Sequence, residues 1–191
     1  MKRTTTGRRR WAAMVAGAAV SMLLIATVAA QSTEIVQSIT GGGQPTITID
    51  SVSLQPVSYS AEEQYSPGQL AYSIDALSGT APGWTVSVQA GDLTYSGEHA
   101  GANIPAANLA VAAANAPGYV SGSLIDGVNG PFVPVEGATG GLNTPRNVLS
   151  ANAGFGDGAY NQSLDLSLTI PAGASPGTNS GTITFSTNSA P

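Results

Sequence analysis

The residues able to do chemistry in this chain are few and scattered. Gly173-Ala174-Ser175-Pro176-Gly177 has the G-x-S-x-G spacing of a nucleophile elbow. That device needs a strand, a sharp turn and a following helix to lift the serine hydroxyl into a site. Thr178-Asn179-Ser180-Gly181 cannot supply the helix, so Ser175 reads as a turn serine. His99 is the one histidine. It sits in the loop-like Ser96-Gly97-Glu98-His99-Ala100-Gly101, where it would act as a base only if distant residues converged on it, and it reads as a solvated loop residue. Glu62-Glu63 offers the two carboxylates a glycosidase needs, but neighbours on an extended chain point to opposite sides. They read as solvated charge. Asp126-Gly127-Val128-Asn129-Gly130 and Asn152-Ala153-Gly154-Phe155-Gly156-Asp157 present loop oxygens of the kind calcium takes, without the regular ligand spacing of an EF-hand. Asn161-Gln162-Ser163 fits an N-glycosylation sequon. The expectation is a non-enzymatic protein with no catalytic residue, no metal and no cofactor.

Composition narrows the partners. Of the six basic residues, five (Lys2, Arg3, Arg8, Arg9 and Arg10) precede an apolar run from Trp11 to Ala30, which ends in the small residues Val28-Ala29-Ala30. A charged head, an apolar body and a small-residue cleavage point form an export signal over residues 1–30. The run is also long enough for a retained membrane anchor. Arg8-Arg9-Arg10-Trp11 is compatible with twin-arginine export, although paired arginines are common in ordinary signals. Beyond residue 30 only Arg146 is basic, against 11 acidic residues from Glu34 to Asp165, a formal charge of −10. Such a surface repels phosphate backbones and anionic lipid heads, so neither nucleic acid nor, once the signal is removed, a membrane is an expected partner. The absence of lysine from this part removes Schiff-base and P-loop chemistry. The absence of cysteine removes disulfides, thiolate nucleophiles and Cys-based zinc sites.

The elements that must position any site are read from periodicity. Residues 31–45 are largely polar and contain Gly41-Gly42-Gly43, a flexible lead-in. The stretch Thr46 to Leu54 alternates as a first strand, and Leu70, Tyr72, Ile74 and Ala76 share one face of a second. Ser60 to Gly68, with Pro67, reads as an interruption between them. Ala81-Pro82-Gly83 is a turn, and Trp84-Thr85-Val86-Ser87-Val88-Gln89 alternates as a third strand. The short Ser78–Pro82 link predicts that strands two and three are hairpin neighbours. From about Gly91 to Gly158 the pattern fades into a long irregular loop region, with a short strand over Leu109 and Val111 and two hydrophobic pieces, Phe132-Val133 and Val148-Leu149, that punctuate a long loop or irregular strands. Order returns at the C-terminal end: Leu164, Leu166, Leu168 and Ile170 alternate inward, and Gly181 to Thr187 forms a last strand, the two predicted to make a hairpin. The expected fold is an all-β antiparallel sandwich of Greek-key or immunoglobulin-like type over residues 46–191.

Two of these strands carry a family resemblance. Gly83-Trp84-Thr85-Val86-Ser87-Val88 resembles the first Trp-x-aliphatic strand of WxL-domain surface proteins, and Thr182-Ile183-Thr184-Phe185-Ser186-Thr187-Asn188-Ser189-Ala190-Pro191 resembles their closing strand, roughly T-L-T-W-T-L-x-D-A-P. The chain departs from the pattern where Phe185 replaces the second tryptophan and Thr187 its leucine, so the second W-x-L is absent. Loosely, the likeness spans Ser53 to Pro191, while its specific part is under 20 residues. The resemblance implies a secreted cell-wall protein with adhesive or scaffold roles, attached non-covalently to peptidoglycan or another wall polymer. It implies Trp84 and Phe185 as wall-binding aromatics that stack on sugar rings. From the residues alone both are equally core aromatics filling the space between two sheets. The alternative to wall attachment is a structural subunit of an extracellular filament or surface layer, contacting other surface proteins or itself, because exposed strand edges add to neighbouring chains.

Overall fold

The computed structural model describes residues 43–189, so the signal over 1–30 and nearly all of the lead-in lie outside the described residues. The regular structure of the described chain is almost entirely strand. In order these are β1 (Thr46–Leu54), β2 (Gln64–Asp75), β3 (Trp84–Ala90), β4 (Thr94–Ser96), β5 (Leu109–Ala114), β6 (Gly118–Gly122), β7 (Gly140–Gly141), β8 (Arg146–Ala151), β9 (Gly158–Ile170), β10 (Thr178–Ser180) and β11 (Ile183–Ser189). A single 3-10 turn, Ala106–Asn108, precedes β5. The larger sheet runs β1-β2-β9-β5-β7, with β6 also on β9; a smaller one runs β11-β3-β8; β4 and β10 form a short ribbon. All named pairings are antiparallel. Among the described residues no helix is long and apolar enough to cross a membrane.

β9 is the spine. It alternates over 13 residues, burying Tyr160, Gln162, Leu164, Leu166 and Leu168 on one face. Its register with β2 is unbroken from Gln64 opposite Ile170 to Asp75 opposite Ala159. Directly paired residues share a face, so Leu70, Tyr72 and Ile74 of β2 fall beside Leu164, Gln162 and Tyr160 in one inward row. The other side of β9 is divided between β5 along its C-terminal half and β6 along its N-terminal half. The smaller sheet supplies the opposing layer with Trp84, Val86, Val88, Val148 and Leu149, which join the same buried cluster.

Aromatic contacts and one buried amide join the layers. Tyr72 meets Phe185 of β11 at 4.8 Å between ring centroids, and Trp84 meets Tyr160 at 6.3 Å. Gln162, an amide within an apolar row, is fully satisfied: its Oε1 accepts from the Tyr72 hydroxyl. Its Nε2 donates to the Asn115 carbonyl at 2.7 Å and across the sandwich to the Val148 carbonyl of β8 at 3.1 Å. Burial pushes the Tyr72 phenol well above its ordinary pKa, which keeps it a hydrogen-bond donor.

Several expectations are corrected. β2 and β3 are not a hairpin: they lie in different sheets. The link from Ala76 to Gly83 is tied to the β8–β9 connection, where the Asp157 carboxylate accepts from the Ser78 and Gly79 amides at 2.6 and 3.0 Å. β9 and β11 are likewise in opposite sheets, not a C-terminal hairpin. In both cases each strand has a strong apolar face, and two such faces are buried more fully by facing each other than by lying side by side. Pro67 does not interrupt β2, which starts at Gln64 and carries Pro67 opposite Ser167. In the central region the irregular-strand reading holds, with β4 to β8 present and β5 at Leu109 and Val111; these strands are short or bulged, which erases the period-two signal. Val148 illustrates this: Val86 faces Leu149 and Ser87 faces Asn147, leaving Val148 as the extra residue of a bulge, with both Val148 and Leu149 buried.

Gln162→Leu strands the Tyr72 hydroxyl and two carbonyls in the interior. Leaving a buried polar group unsatisfied costs about 1–3 kcal/mol, so the urea midpoint falls with the slope of the transition unchanged.

Candidate functional site

The two aromatics implied as wall-binding do not form a binding surface. Trp84 is 3% exposed, its indole Nε1–H donating to the Gly156 carbonyl at 2.9 Å. Phe185 is half-buried against Tyr72. The indole socket explains its neighbours. Gly83 has φ +80, and a Cβ there would lie 2.8 Å from the Ala153 nitrogen; Gly156 has φ +73, and a Cβ there would lie 2.9 Å from the indole nitrogen. The Gly-Trp pair is therefore a packing device, and the buried indole is not free to stack on a sugar.

The other singled-out residues also find structural partners. Ser175 lies in the β9–β10 connection, followed by strand and not helix, and its hydroxyl donates to the Ala100 carbonyl at 2.9 Å. His99 is in an exposed loop. Glu63 accepts from the Tyr65 hydroxyl at 2.8 Å, which raises the phenol's pKa, and Glu62 takes no part in that contact. The Asp126 carboxylate closes its own turn, accepting from the Val128 and Asn129 amides at 2.9 and 2.8 Å. These bonds, and those of Ser78 and Gly79 on Asp157, favour the charged form and hold both carboxyls below the ordinary aspartate value. The two loops weighed as calcium sites do come together, through the Asn152 amide on the Asn129 carbonyl at 2.9 Å. Among the described residues no group of three or more His, Cys, Asp or Glu side chains is placed to hold a metal ion.

What the fold does build is a groove at one end of the sandwich, about 460 Å³ in volume, between the β1–β2 connection and the β9–β10 connection. Leu54, Leu93, Leu168 and Ile170 line it from the core side, and Pro56, Val57, Tyr59, Pro171 and Pro176 from the loops. Its polar groups are all uncharged: Gln55, Ser58, Ser60, Gln64, Ser66, Ser175, Thr178 and Asn179. The walls are braced. The Gly173 amide donates to the Ser60 carbonyl at 3.1 Å, the Tyr95 hydroxyl to the Pro176 carbonyl at 2.8 Å, and the Ser66 hydroxyl to the Gln55 carbonyl at 2.6 Å. Tyr59 is 66% exposed. Asn179 lines the groove, with its Oδ1 buried beneath the surface.

Sequence reasoning missed this site because its residues are turn formers from two distant connections, none reactive alone. The signal present was the unusual exposure implied by Tyr59 within a Pro/Ser-rich stretch. No family model, curated protein or solved structure matches the chain.

The Asp157 contribution has a defined sign. Because its folded-state pKa is lowered from 3.8, the stabilisation is full above that value and is lost as pH falls through the lower folded-state value. Asp157→Asn is expected to flatten the acid limb of the stability curve below pH 3.8, measured by urea unfolding across pH. Trp84→Ala opens a large cavity costing about 3–5 kcal/mol, so any loss of binding it causes is expected to track loss of near-ultraviolet dichroism.

Proposed function

We propose that this is a secreted, non-enzymatic cell-surface module that holds a neutral, hydroxyl-rich wall polymer such as a peptidoglycan glycan strand in the end groove. The observation that carries the reading is the groove's chemistry. On a chain whose exported part is strongly acidic, this groove of about 460 Å³ is lined without a single charged side chain. Sugars are bound by the pairing found there: an aromatic ring for the apolar face of a pyranose, with hydroxyl and amide groups for its hydroxyls. The exported location rests on the N-terminal charge and hydropathy pattern, and the WxL-like strands agree with a wall setting while marking the fold and not the contact surface.

This reading moves the attachment role from Trp84 and Phe185 to Tyr59 and the uncharged side chains around it. In co-sedimentation with insoluble peptidoglycan, Tyr59→Ala is expected to lose most binding while the fold is unchanged, since its ring is mainly in solvent. Loss of one stacked sugar contact is worth about 0.5–1.5 kcal/mol per aromatic pair by analogy with ring stacking, so affinity should fall several-fold. Wild type that fails to sediment with several wall preparations would sink the proposal.

A further inference from the structure

The seam between the two sheets is incomplete on one side. Ile47, Ile49, Val52 and Leu54 of β1 pair with Ile74, Tyr72, Leu70 and Gly68 of β2. The partners Ile74, Tyr72 and Leu70 all point into the core. A bulge at Asp50, where the register shifts, switches the alternation so that all four β1 residues stay on this inward face. Yet Ile49 is 46% and Val52 51% exposed. An inward row left in solvent means that the opposite sheet is too narrow: it ends at β11, whose outer edge pairs with no strand among the described residues.

The shortfall is local. At one end the seam is closed, where Thr187 donates to the Pro45 carbonyl at 3.2 Å and Ser189 to the Gln44 side chain at 2.9 Å. Towards the other end it opens into a slot of about 230 Å³, lined by Val52 and Leu54 on one side, Ile183 on the other, and Leu93 and Leu109, with no charged residue.

We propose that this slot accepts one extended strand donated by a second copy of the chain, which joins the outer edge of β11 and covers Ile49 and Val52. Three features argue for strand and not loop or helix. The edge offers a ladder of unpaired backbone groups, the exposed row keeps to one face of an extended strand across its bulge, and the lining is largely apolar and uncharged. The donor is Thr33–Thr40, whose period-two set Thr33, Ile35, Gln37 and Ile39 is β-branched at three of its four positions, a composition that fits a pleated, half-buried surface. A strand from a second copy is free to enter antiparallel to β11, the more stable ladder. Donation from copy to copy is head-to-tail, so it builds open chains and not closed dimers. This goes beyond wall binding: the slot adjoins the end groove and shares Leu54, Leu93 and Asn179 with it, while Val52 and Ile183 belong to the slot alone.

The test is mixing of complementary variants, using the full chain recovered from the exported fraction and read by light scattering on a sizing column. Val52→Asp spoils the slot and Ile35→Asp/Ile39→Asp spoils the donor; Val52 is half in solvent, so the fold is retained and is checked by near-ultraviolet dichroism. Wild type is expected to show multimers that grow with concentration. Each variant alone is expected to run as one copy, and an equal mixture to stop at two, because only one productive donor–slot pair exists. Wild type that stays at one copy at every concentration, whether because a chain fills its own slot or because nothing does, would overturn the proposal. So would variants that assemble as wild type, or a mixture that stays at one copy.

Discussion

The arrangement of this domain depends on one constraint: the Gln162 side chain is buried in an apolar row, and a buried amide must have its hydrogen bonds made. Its three partners come from β2, from the segment after β5, and from β8 in the opposite sheet. Satisfying them fixes both the spacing of the sheets and the register of β9 within its own sheet. Apolar contacts tolerate a slip more readily than this. A shift of β9 by one residue would turn Gln162 outward and its leucines into solvent, so the amide adds to the hydrophobic pattern a second, directional reason for a single register.

Trp84 extends the same logic to the smaller sheet. The indole is polar at one atom, and the Gly156 carbonyl satisfies it from the turn before β9. That turn also carries Asp157, which holds the link into β3. The most recognisable sequence feature of the chain is thus spent on joining the layers. In the proposed function, binding is left to the end loops, which the sheets hold apart without relying on reactive groups.

Much of the scaffold was legible from the sequence and little of the site. β1, the inward row of β2, β3, β9 and β11 all showed alternation, since each is long and has one buried face. The pairings were less legible, because alternation says which face is buried but not which strand lies alongside; the Ser78–Pro82 link looks like a hairpin turn and is in fact a crossing between sheets. Gln162 looked like half of a sequon and not an interior residue, because its satisfaction depends on Tyr72, 90 positions away. The bulges at Asp50 and Val148 hid a phase change that period-two reasoning does not see. The groove was illegible for the same reason as the pairings: Tyr59 and Asn179 are 120 residues apart in the chain, and neither type is distinctive alone.

The central claim is that the chain meets its ligand through the neutral end groove and not through its buried aromatics. Amide-resolved NMR of the protein titrated with soluble peptidoglycan fragments tests this most directly. The account predicts saturable shifts at Tyr59, Ser60, Ser175 and the Asn179 side chain, with the Trp84 indole N–H unmoved. Shifts centred on Trp84 and Phe185, or none at any residue, would contradict it.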